Sequence, residues 1–69
     1  MLTYKIIEKI AKIETEYDEI QVNYMQWGNN EAKYDIRKWS FDGTPLKGFT
    51  LKEEEIRELA SDLSDFFTL

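Results

Sequence analysis

The 69-residue chain contains no cysteine and no histidine. Those two absences remove disulfides, the usual ligands of structural zinc, and the Ser/His and Cys/His arrangements of nucleophilic catalysis. There is one proline, and the three glycines form no Gly-rich phosphate loop, so the inventory argues against an enzyme. Apolar runs stop at two or three residues, which excludes a membrane-spanning helix. The opening `MLTYKIIEKIAK` is too often interrupted by charge to read as a secretory signal. These features fit a reducing compartment and a cytoplasmic protein, with no cofactor, metal or membrane partner expected. A chain this short buries only about 60% of its unfolded surface, so association with a second copy is plausible from size alone.

What is present is a core's worth of apolar residues, 42% with ten aromatics, and 33% charged residues. The net charge of −5 argues at first against a polyanion partner. Its distribution weakens that objection: residues 1–50 hold seven basic and eight acidic groups, net −1, and residues 51–69 hold two and six, net −4.

That acidic tail reads as an amphipathic helix, because Ile56, Leu59, Ala60, Leu63, Phe66 and Phe67 recur at spacings of three and four. Thr50 with Glu53 fits a capping box at its start, and Glu53, Glu54 and Glu55 complement the helix dipole. Upstream, `FDGTPLKG` reads as a loop, with `GFTL` as a short strand leading into the helix. Residues 19–27 and 33–41 alternate as strands joined by a `GNNE` turn. Residues 2–17 are ambiguous: Leu2, Ile6, Ile10, Ile13 and Tyr17 satisfy a helical period, whereas four isoleucines in eight residues favour a strand with a bend or bulge.

Alternation puts Ile20, Val22, Tyr24, Tyr34 and Ile36 on one sheet face, the face the helix stripe is expected to cover. Met25, Trp27, Lys33, Arg37 and Trp39 fall on the other. Cations to follow phosphates beside rings on which bases stack are the composition of a single-strand platform. Competing readings remain: Arg37 paired with Asp35 or a carboxylate of the first strand, and the tryptophans at the edge of a core or against a second subunit. Lys5, Lys9 and Lys12 either extend the basic surface or discourage edge-to-edge aggregation.

The ordered set Trp27, `KYDIRKW`, a Pro/Gly loop and `KGFTLKEEEI` resembles the family of the transcriptional coactivator positive cofactor four, closest to its small bacterial YdbC-type single-stranded-DNA-binding relatives. The match is strongest over residues 33–56. The resemblance implies an α+β domain spanning residues 1–69, a curved four-stranded antiparallel sheet followed by one helix (ββββα), and a homodimer paired through the helix region. It also implies that the first segment is a strand. By position, the nucleic-acid-binding residues it implies are Trp27, Lys33, Arg37, Trp39 and Lys47. Lys5, Lys9 and Met25 join them from the face assignment and the basic first strand. The expected activity is largely sequence-independent binding of single-stranded DNA in transcription, replication or repair, placing the protein in the cytoplasm with the nucleoid. Single-stranded RNA and a protein-interaction module are the alternatives. Lys52, where the family often has Ser or Asn, and a shorter, less basic loop are departures.

Overall fold

The computed structural model describes residues 3–68. Four strands form one antiparallel sheet in the order of the chain: β1 (Tyr4–Glu14), β2 (Glu19–Trp27), β3 (Lys33–Trp39) and β4 (Pro45–Leu51), followed by helix α1 (Glu53–Phe67). This is an α+β, ββββα fold. Leu2, part of the helical period noted in the first segment, lies outside the described residues.

β1 is a strand, and its ambiguity has a structural cause. Pairing with β2 slips between Ile6 and Glu8 and again between Lys9 and Ala11, so Ile7 and Ile10 are each an extra residue. The residues paired onto the face shared with Trp27 are therefore Tyr4, Ile6, Lys9, Lys12 and Glu14, whereas the isoleucines that fit a helical period are split between this face (Ile6), a bulge (Ile10) and the opposite face (Ile13, paired with Ile20). Two bulges also bend a strand and increase its twist. The resulting curl brings Tyr4, at the start of β1, into edge-to-face contact with Trp39, at the end of β3, with ring centroids 5.5 Å apart.

The β2–β3 turn places Gly28 at φ 55°, a left-handed conformation that favours glycine, and Asn30 N–H donates to the Trp27 carbonyl at 3.0 Å. Two expectations at the other end are corrected. `PLK` belongs to β4, so the connecting loop is only residues 40–44. There Asp42 accepts from the Ser40 hydroxyl and the Thr44 N–H, which holds its carboxyl below the usual range. The helix begins after Lys52, and its capping contact is the Glu55 carboxylate accepting the Lys52 N–H at 2.8 Å. Thr50 is not the cap, because it pairs with Asp35 in the sheet.

The helix does not cover the sheet as its stripe predicts. It meets the sheet chiefly along β3, and only Ile56 is half-buried. Leu63 is 50% and Phe67 76% exposed, and Phe49 on the outer sheet face is exposed as well. The core lies instead in the concave face, where Met25 (1% exposed) and Trp39 (3%) are the buried apolar residues among those described.

Candidate nucleic-acid interface

Register assembles the concave face in rows across the strands. Met25 lies opposite Ile6 and Lys33, Asn23 opposite Lys9 and Asp35, and Gln21 opposite Lys12 and Arg37. Arg37 in turn pairs with Gly48. A Cβ on Gly48 would sit 2.5 Å from the Ile36 carbonyl oxygen and 2.6 Å from Arg37 Cα, so only glycine lets β4 approach β3 beneath the Arg37 side chain.

The centre of this face is a closed polar cluster. Asp35, 0% exposed, receives Arg37 Nε on Oδ1 and Arg37 Nη2 on Oδ2, each at 2.7 Å. Trp27 Nε1 also donates to Oδ2, at 3.0 Å. A third guanidinium nitrogen, Nη1, donates to the Leu46 carbonyl at 3.0 Å. The guanidinium carbon stands 4.5 Å from the centroid of the Trp27 ring, a cation–π stack, and Tyr4 packs on Trp27 at 5.2 Å. A buried carboxylate is thereby matched by a bidentate guanidinium and an indole N–H, the pairing that buried charge requires.

Beside the cluster the same face opens into a cleft of about 390 Å³, lined by Lys9, Lys12, Glu19, Gln21 and Asn23 among others. Gln21 Nε2 donates to Glu19 at 2.9 Å and Asn23 Nδ2 donates to Gln21 at 3.0 Å. An ionised carboxylate only accepts, so Glu19 orients both amides in turn. Lys12 stands 3.7 Å from the half-buried Glu19 and 3.8 Å from the exposed Glu14, both loose pairs, and among the described residues Lys9 makes no ion pair.

Of the residues singled out from sequence, the fold brings Lys9, Met25, Trp27, Lys33, Arg37 and Trp39 onto this concave face. Lys9 and Lys33 are exposed and Trp27 and Arg37 half-buried. Met25 and Trp39 need correction as contact residues: both are core, and a ring 3% exposed offers no face to a base. Lys5 pairs opposite Gln26 on the outer face, away from the cluster. Lys47 is exposed in the β4 irregularity between Gly48 and Pro45. Tyr4 was missed, since the bulges hide its phase, yet it is the exposed aromatic that packs on both tryptophans.

No family model matches the chain, and no curated protein matches it significantly.

Proposed function

We propose that the chain is a non-enzymatic single-stranded-DNA-binding protein of the positive-cofactor-four type that works as a homodimer. The observation that carries this reading is the concave face, where Lys9, Lys12 and Lys33 are exposed around Arg37, Trp27 and Tyr4. The lysines follow the phosphates. Bases stack on the accessible parts of Tyr4 and Trp27, at about 1–3 kcal/mol per base and with little regard to sequence. Few cations are involved, so affinity is modest and the dependence of log K on log salt is shallow, about −3 at most for four phosphates contacted per protomer. Open strands in transcription, replication or repair are the natural substrate, and association with the nucleoid follows from that.

Anisotropy of a labelled oligo(dT) of about twenty nucleotides, titrated at low and moderate salt beside a duplex control, tests the proposal. Salt-dependent binding that prefers the single strand is expected, and no binding at low salt sinks it. Competition with oligo(U) separates DNA from RNA, since a stacking platform accepts either backbone.

The dimer rests on the apolar surface left open by the fold: Leu59, Leu63, Phe66 and Phe67 along α1. A second copy covers this stripe. Leu63→Asp is expected to yield a monomer in sedimentation equilibrium, with a melting temperature lowered by several degrees. A wild-type monomer, or a variant that still pairs, contradicts it.

A further inference from the structure

We infer that Asp35 is a positioning residue that turns Arg37 into an oriented phosphate-binding fork, an inference that rests on the strand-binding reading above. Three of the five guanidinium N–H groups are committed within the chain: Nε and one Nη2 hydrogen to Asp35, and one Nη1 hydrogen to the Leu46 carbonyl. The remaining two, one on each terminal nitrogen, have no acceptor among the described residues. Two N–H groups on a planar guanidinium match two oxygens of a phosphate, a bidentate geometry that an ammonium does not offer.

Orientation is what Asp35 supplies. An arginine free on a surface samples many rotamers and loses that freedom on binding. Here the plane is set on one edge by a carboxylate with no solvent exposure, on another by a backbone carbonyl, and over its face by the Trp27 ring. Trp27 is tied to the same carboxylate through Nε1, so ring and guanidinium are held as one unit. The carboxylate also cancels the guanidinium charge, so the site acts through directed hydrogen bonds, while Lys9 and Lys33 supply long-range attraction.

This assignment makes a prediction opposite in sign to simple electrostatics. Asp35→Asn raises the net charge by one, and if charge alone mattered it would tighten binding of a polyanion. As a positioning residue, its loss weakens binding of oligo(dT) about tenfold, the loss expected when a charge-assisted pair no longer holds its donor. Arg37→Lys retains both the charge and an ion pair with Asp35 but lacks the fork, and is expected to lose a similar factor with its salt slope unchanged.

The deciding experiment combines these titrations with the ¹⁵N–¹H signal of Arg37 Nε, followed in the free protein and on addition of inorganic phosphate. A resolved, slowly exchanging Nε signal that phosphate shifts, and that is lost in Asp35→Asn, supports the inference whether or not the strand binds. Failure of the wild type to bind oligo(dT) with the phosphate response intact removes the strand-binding reading alone. Oligo(dT) binding in Asp35→Asn as tight as in the wild type overturns the inference and leaves that reading standing. An Nε signal unmoved by phosphate overturns it as well. If Asp35→Asn does not fold, Arg37→Lys decides by itself: a variant that binds oligo(dT) like the wild type overturns the inference.

Discussion

Trp39→Ala is expected to unfold most of the protein at 37 °C, seen as loss of the β-sheet signal in far-ultraviolet circular dichroism and of a cooperative melt. Truncating a buried tryptophan costs about 3–5 kcal/mol. A chain of this size has about 3–10 kcal/mol of stability in total, and the buried apolar core of the described residues comprises only Met25 and Trp39. Tyr4 would lose its edge-to-face partner at the same time, and with it the contact that closes the curl of the sheet. Trp39→Phe is the control. It keeps an aromatic body against Tyr4 and removes an indole N–H that is buried without a hydrogen-bond partner, so the variant is expected to fold. A well-folded Trp39→Ala with strand binding abolished would return this ring to the surface and overturn the assignment of the concave face as core.

The second large effect is expected at Gly48, where a single added methyl group collides with backbone rather than with a movable side chain. The alanine Cβ would meet the Ile36 carbonyl oxygen and Arg37 Cα as well as Arg37 Cβ. Relief requires β4 to part from β3 at the row that holds Arg37, which breaks ladder bonds and withdraws the Leu46 carbonyl from the guanidinium. Gly48→Ala is expected to lower stability by about 3 kcal/mol, at the upper end of the range for overpacking. Urea denaturation at equilibrium measures it. A variant within about 0.5 kcal/mol of the wild type would mean that β4 pairs more loosely than its register indicates.

Much of the fold was legible because it is written in local patterns. β2 was placed residue for residue from its alternation, and β3 starts where expected and ends at Trp39 rather than Phe41. The helix was found from its stripe, and the turn from its glycine and asparagines. The first strand was hard to read for a definable reason. Two extra residues break the strict alternation of its two faces, so that Ile6, Ile10 and Ile13 fall at helix-like spacings without sharing a face, and periodicity alone does not separate a doubly bulged strand from a helix. The helix cap was misplaced because Thr50 and Lys52 compete for one role, and a sheet pairing with Asp35 claims Thr50.

The candidate site divides along the same line. Sequence by itself determined that Met25, Trp27, Lys33, Asp35, Arg37 and Trp39 share one face, since side chains in a strand point alternately to its two sides. It also determined that the helix carries the excess negative charge and an apolar stripe. Only the tertiary structure decided which side of the sheet is concave, and therefore that Trp39 and Met25 are core while Lys9, Lys33 and Tyr4 remain accessible. It alone decided that Asp35 takes Arg37 and Trp27 together, and that the stripe of α1 stays uncovered within one chain. The physical reason is that alternation is a property of each strand, whereas burial depends on the curvature of the whole sheet, set here by two bulges that bring the ends of β1 and β3 together.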